Sequence, residues 1–441
     1  MMTATVCCHG DTKKHPAFHR ISQVLSASTK RRSESMDGLS RRNLLKTGGT
    51  LGAIGALGFA APAQARSLWT WSAKGSVAGT GAGADPRWVW DAEADPLVAS
   101  VIDRGDVPRV NELLRTWTKN GQPLPAALPA DLRDFMEKAR RLPSWADQGK
   151  LATAVEFNEK RGLYLGVLYG LASGMMSTVI PKEARAVYYS KGGADMKDRI
   201  SKTAKLGYDI GSQNAYQPDG EMIVTCVKTR LVHAAVRHLL PQSPHWSDVA
   251  DEEIPISQRD MMVTWHSLPT TVMQKLTAWQ VPIPDAESEA FLHTWQLGAH
   301  MLGIEDEYIP KSWAEADSQA KQVLDPVLAP TTEGVKLAEI LLNLGAEVDG
   351  GVLSKPILGA FTRFLLGDQI AAWLKIPREP VWDPLLNAAW GPFIAVREGL
   401  LPFPLAPKAY WLFDEFLRKA ALLFLSEARP ISIEIPDANR P

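Results

Sequence analysis

The 441-residue sequence holds three cysteines, and two of them, Cys7 and Cys8, stand near the N-terminus. Only Cys226 lies in the body of the chain, so no disulfide can form there and stability must come from a packed core. Excess charge of either sign is missing too. Lysine and arginine total 48 against 49 carboxylates, a formal net charge of −1, which gives no reason to expect nucleic acid or an acidic membrane as partner. There is no GxSxG nucleophile elbow, no phosphate loop, no dinucleotide fingerprint, no HExxH zinc helix and no Cys-x-x-Cys-His haem attachment. Alternating strand-like runs with hairpin signals are nearly absent, as are fixed-period repeats.

What is present begins with an export leader. Ser40-Arg41-Arg42-Asn43-Leu44-Leu45-Lys46 carries the paired arginines, apolar residues and lysine of a twin-arginine signal. A Gly- and Ala-rich stretch, Thr47 to Ala61, follows and is shorter than the ~20 apolar residues that span a bilayer, so no stable membrane anchor is expected. Ala63-Gln64-Ala65 supplies small residues for cleavage after Ala65. Residues 1–35 are basic and lack apolar periodicity, and Met36 just before the signal is read as the true start. The expected organisation is a leader over 1–65 and one domain over 66–441, secreted by the twin-arginine translocase and monomeric.

From Pro96 onward the pattern is helical. Apolar periodicity runs over roughly 98–118, 130–140, 150–175, 181–190, 194–210, 220–240, 257–280, 286–303, 313–325, 333–346, 354–375 and 407–426. Proline-bearing breaks fall at 281–284, 325–330 and 376–384. Residues 66–95 read as irregular, with Trp69, Trp71, Trp88 and Trp90 among them. The fold class is all-α.

The helix from Glu221 to Leu240 is the most informative. Arg230, His233 and Arg237 are spaced i, i+3, i+7 and share one face. Leu231, Val232, Ala234, Ala235 and Val236 around them would bury the helix. Three basic groups on a buried stripe repel each other and require something anionic opposite. A haem fits, with neutral His233 on iron and arginines on the propionates. Protein carboxylates paired with the two arginines fit as well, and the helix alone leaves both readings open. Arg199, Lys202 and Thr203 fall at i, i+3, i+4, which taken alone is a solvated stripe. Glu183, two residues after Pro181, sits where a helix's first turn favours a carboxylate anyway. His266, His293 and His300 lie in apolar helices without zinc spacing, and Cys226 reads as a buried apolar residue.

Three unusual stretches carry a resemblance: Ser76-Val-Ala-Gly-Thr-Gly-Ala-Gly-Ala-Asp-Pro-Arg-Trp-Val-Trp90, Asp195-Met-Lys-Asp-Arg-Ile-Ser-Lys-Thr203 and Val232-His-Ala-Ala-Val-Arg-His238. Over nearly its whole length the chain resembles the latex-clearing proteins, exported haem-b rubber oxygenases. The resemblance implies a globin-like helical core, at about residues 150–375, around one non-covalent haem b. It implies His233 as the proximal iron ligand and Lys202 as the distal ligand of a closed state, able to bind only as a neutral amine. Arg199 and Thr203 would line the distal pocket, Glu183 would act as catalytic base, and Arg230, Arg237 and Arg363 would support haem binding. The implied reaction cleaves the double bonds of cis-1,4-polyisoprene with dioxygen inside the chain, leaving keto and aldehyde ends. Glu183 would remove an allylic proton while Arg199 or Thr203 steadies charge on oxygen, although direct attack on the alkene needs no base. The competing functions are an exported haem carrier or sensor, and a haem-free helical module that adheres to hydrophobic surfaces. If Met36 is the start, a chain beginning there should be exported as well as the full chain, measured by its yield outside the cell.

Overall fold

In the computed structural model the described residues are 75–79, 84–191, 195–250, 252, 254–348, 353–400 and 407–440. The leader, Met36 and the tryptophans at 69 and 71 lie outside them. All described residues belong to one compact unit, Ala61–Pro441.

The chain is all-α. Eighteen α-helices occur among the described residues, and there is no strand, only two isolated bridges, Ser76 with Pro310 and Ser190 with Asn439. In order they are α1 (Ala94–Asp103), α2 (Val107–Arg115), α3 (Ala130–Ala139), α4 (Gln148–Lys160), α5 (Gly162–Val167), α6 (Gly174–Ser177), α7 (Pro181–Tyr189), α8 (Met196–Asp209) and α9 (Met222–Leu239). The second half holds α10 (Pro244–Val249), α11 (Gln258–Trp265), α12 (Thr271–Ala278), α13 (Asp285–Met301), α14 (Trp313–Val323), α15 (Thr332–Val348), α16 (Lys355–Trp373), α17 (Trp382–Arg397) and α18 (Pro407–Leu425). Among the described residues, no single helix is long and apolar enough to cross a membrane.

Several expected helices are divided. The segment 98–118 breaks at Gly105, whose φ of +73° suits glycine and ends α1. Between α5 and α6, and between α11 and α12, the backbone widens into π-turns, Leu168–Ser173 and His266–Thr270. Pro269 in the second lacks an N–H, and the π-turns face each other, so that Ser173 Oγ donates to Ser267 O at 2.6 Å. Helix α17 was not expected, because no apolar period is read between the 376–384 break and residue 407. Pro384 stands in its first turn, where a missing N–H costs nothing, and its apolar residues lie on both faces, which hides the 3.6 period.

Helices α9 and α13 form the centre, each buried along most of its length. Helix α9 is rich in β-branched residues, which lower helix propensity, so packing against α1, α8 and α13 holds it helical. A charge clamp fixes it to α1. Arg230 makes two bonds to Asp91, Nε to Oδ2 at 2.5 Å and Nη2 to Oδ1 at 2.9 Å, and reaches Glu93 at 3.2 Å. One α-helical heptad on, Arg237 donates from Nε to Asp95 at 2.8 Å and from Nη1 to Ile256 O at 3.3 Å. Gly303 backs this clamp. Its φ is +92°, and a Cβ there would lie 2.7 Å from Arg230 Nε and 2.9 Å from Asp91 Oδ2. The C-terminal segment then ties other elements to the same frame. Ile435 exchanges two bonds with Asn111 of α2, Asn439 donates to Leu239 O of α9, and Arg440 N donates to Tyr189 O of α7.

The clamp separates a buried pair from a surface one. Asp91 is buried, and its removal leaves the nearly buried Arg230 guanidinium without its main partner, a loss of about 3 kcal/mol or more. Glu93 is mostly exposed, and its pair is worth at most about 1 kcal/mol. Asp91→Ala should therefore lower the unfolding temperature clearly and Glu93→Ala hardly at all, as thermal unfolding followed by circular dichroism would show.

Candidate functional site

His233 lies at the middle of α9, between the two clamped arginines. Deep burial, then the nearby positive charges of Arg237 and Arg199, push its imidazole down to about 3, against a weaker opposing pull from Asp91. The ring is neutral at any ordinary pH. Its Nδ1 is buried and has no hydrogen-bond partner among the described residues.

Glu183 occupies the first turn of α7, whose N-terminus is set by Pro181. The helix dipole there favours the carboxylate, but burial dominates and raises Glu183 to about 7. Thr264 and Arg199 pull it down, and Asp260 adds to the rise. The Thr264 hydroxyl of α11 stands 3.0 Å from Glu183 Oε2 and 3.2 Å from Asp260 O. With a single proton it serves one acceptor at a time. Lys182 anchors the same corner, 2.9 Å from Asp260 of the α11 capping box.

Arg199 comes from α8. Burial lowers its guanidinium, Glu183 opposes this, and it keeps its charge at neutral pH. The electrostatic coupling of Arg199 to both Glu183 and His233 brings α7, α8 and α9 to one place. All three side chains lie deep in the fold yet keep part of their surface uncovered.

The other expected residues fall differently. Lys202 pairs with Asp198 one turn back at 2.7 Å, with 30% of its side chain exposed. Thr203 is exposed, and its hydroxyl donates back to Arg199 O at 3.3 Å. Arg230 and Arg237 are engaged by Asp91, Glu93 and Asp95, so the chain itself supplies the anions opposite their stripe. Arg363 bonds to Asp368 and Ile376 O and lies 3.4 Å from Asp383. It braces the break in α16 at Gly367, where φ is +87°, against the start of α17. None of these contacts joins it to His233.

The other candidate histidines, His266, His293 and His300, are bonded to protein partners. His266 bonds Thr270 at 2.8 Å and Gln319 at 2.7 Å. His293 accepts from Asp147 N, His300 bonds Asp306, and Trp145 stands edge-on between the two rings. Among the described residues, no group of three His, Cys, Asp or Glu side chains could hold a metal ion. Cys226 is buried, and burial pushes its thiol well up, so it is a protonated apolar group.

Sequence reasoning missed Asp91, Asp95 and Thr264. The carboxylates have a signal, since Asp91-Ala-Glu-Ala-Asp95 presents three acidic residues at the head of an apolar helix. Thr264 has none, because only the fold brings α11 against α7.

Similarity to known proteins extends over most of the chain. Residues 161–396 match the model of the family described as ER-bound oxygenase mpaB/B'/Rubber oxygenase, catalytic domain, a span containing Glu183, Arg199 and His233. A rubber oxygenase of Streptomyces sp. (strain K30) is 60% identical over 407 residues, covering 92% of this chain and 100% of that protein. The solved structure of latex clearing protein LCP in the closed state has a TM-score of 0.78 at 59% identity, covering 84% of this chain and 100% of that one. With the match extending across α7, α8 and α9, the chain belongs to the rubber oxygenase family.

Proposed function

We propose that this chain is an exported haem-b-dependent dioxygenase that cleaves cis-1,4-polyisoprene within the polymer chain. The observation that carries the reading is the meeting of neutral His233, charged Arg199 and a carboxyl with a pKa near 7 at one place where α7, α8 and α9 come together. A haem fits the residues present. An iron ligand must be an unprotonated imidazole, and His233 is one with an unsatisfied buried nitrogen. When bound, haem b supplies the iron that activates dioxygen. Arg230 and Arg237 support it indirectly, because their carboxylate partners fix α9 and hence the position of His233. Arg363 acts at a further remove, through the α16–α17 brace.

The reaction inserts both atoms of dioxygen across a double bond, so each cut yields one ketone and one aldehyde end. Arg199 holds positive charge where negative charge develops on oxygen. Above about pH 7 Glu183 is ionised, and Thr264 donates to it and steadies the carboxylate. When Glu183 takes up a proton, the Thr264 hydroxyl can turn to Asp260 O and accept from the new acid. Glu183 can thus receive an allylic proton and hold it without rearranging the backbone. A pure haem carrier has no use for a carboxyl poised in this way. Lys202 acts as the gate: its half-exposed i, i+4 pair with Asp198 is worth only about 0.5 kcal/mol, which leaves the side chain free to exchange between that partner and the distal side. Thr203, exposed on the same helix, would contribute to the haem site only if its hydroxyl left Arg199 O.

If Glu183 is the base, turnover of polyisoprene should rise with pH through about 7, and Glu183→Gln should keep its haem while losing most of the rate and that rising limb. Normal turnover in this variant, assayed by aldehyde staining of latex products, would favour direct attack on the alkene. His233→Ala should purify without the haem Soret band. Lys202→Ala should retain haem with an altered resting absorption spectrum, and an unchanged spectrum would show that Lys202 never leaves Asp198.

A further inference from the structure

Helix α17 turns its charge inward and its apolar side chains outward. From Pro384 to Val396 it carries no charged residue. The charges at its ends point into the fold: Asp383 lies beside Arg363, Arg397 pairs with buried Asp414, and Glu398 meets Arg161 at 3.2 Å and Tyr164 at 3.0 Å. Its buried side rests on rings, with Trp390 edge-on to Trp279, Phe361 and Phe364. The outer side is a stripe at i, i+4 spacing, in which Val381 is 63% exposed, Leu385 48% and Phe393 38%, with exposed Ala389 among them, and Leu400, 61% exposed, follows just past the helix end. A surface helix of a globular protein has the opposite arrangement.

We propose that this stripe is the surface by which the protein settles on a solid hydrocarbon polymer, a reading that rests on the polyisoprene substrate inferred above. A partner for it must be apolar and uncharged, since nothing on the stripe can pair with a phosphate, a sulfate or a carboxylate. A second copy of the chain is the other apolar candidate. The four large side chains expose on the order of 400 Å², well below the ~800 Å² per partner of a stable protein interface. A polymer particle imposes no such threshold, because it offers continuous apolar area in any orientation and leaves the enzyme mobile on it. The ring cluster behind Trp390 keeps the stripe rigid, so adsorption orders few side chains.

The test replaces the centre of the stripe by L385E/A389K, an i, i+4 pair that favours the helix, with L385K/A389E as the reversed-charge control. Depletion of protein from suspension by polyisoprene particles should fall at least fivefold in both variants, and cleavage of particulate latex should fall with it. Cleavage of a short oligo-isoprene dispersed in detergent should stay within about twofold, with unfolding temperatures unchanged. Unchanged adsorption overturns the proposal, as does a wild-type dimer by light scattering that the variants convert to monomer. Wild-type protein that adsorbs through this stripe yet releases no carbonyl product from either substrate would overturn the catalytic reading and leave the docking surface standing.

Discussion

The structure depends on two arginines buried on one face of α9. A guanidinium taken out of water needs a fixed anion, and here the anions come from the residues that lead into α1. Burial pushes Asp91 up, but its two bonds to Arg230 and the nearby Arg237 more than offset this and hold the carboxyl below its usual range. Arg230 is held above its own usual value by Asp91 and Glu93 in spite of burial. Asp95 goes the other way, its desolvation exceeding the attraction of Arg237. The clamp therefore has a strong half at Arg230 and a weaker half at Arg237. His233 sits between the halves, so its rotation about the α9 axis is set by pairs on either side. A clamp of this kind does for the imidazole what a second coordination shell does in a metal site.

Burial at this site acts on its titratable groups in opposite directions. Desolvation disfavours charge of either sign, so it lowers His233 to about 3 and raises Glu183 to about 7. One physical cause thus leaves an imidazole free of its proton and a carboxyl able to gain or lose one near neutrality. Arg199 alone keeps a full charge there.

Much of this was legible in the sequence, and the limits have identifiable causes. Helix α9 announced itself by its i, i+3, i+7 basic stripe within apolar neighbours, because spacing along one helix is local information. The need for an anion opposite was equally legible. Which anion was not, since the choice between a ligand and Asp91 depends on how α1 packs, a contact between residues about 140 apart. Thr264 shows the same limit from another side, and so does Arg363, whose partners are set by the break at Gly367. Helix α17 escaped for a different reason. Sequence reading looks for one apolar face turned inward, and a helix that is apolar outward as well shows no such contrast.

That inverted helix and the clamp express a common constraint. Each places charged side chains inside, where they must be paired, and the outer surface is left to whatever the protein meets. In α9 the inward charges fix the imidazole. In α17 they remove Asp383, Arg397 and Glu398 from the surface, so that the helix itself presents no charged side chain along its outward stripe. A water-soluble partner would gain nothing from that removal, because charges at the rim of a patch aid its recognition. A hydrocarbon surface gains, because every charge brought against it would have to be stripped of water without compensation. The pairing that stabilises the interior thereby also determines which kind of surface the exterior can wet.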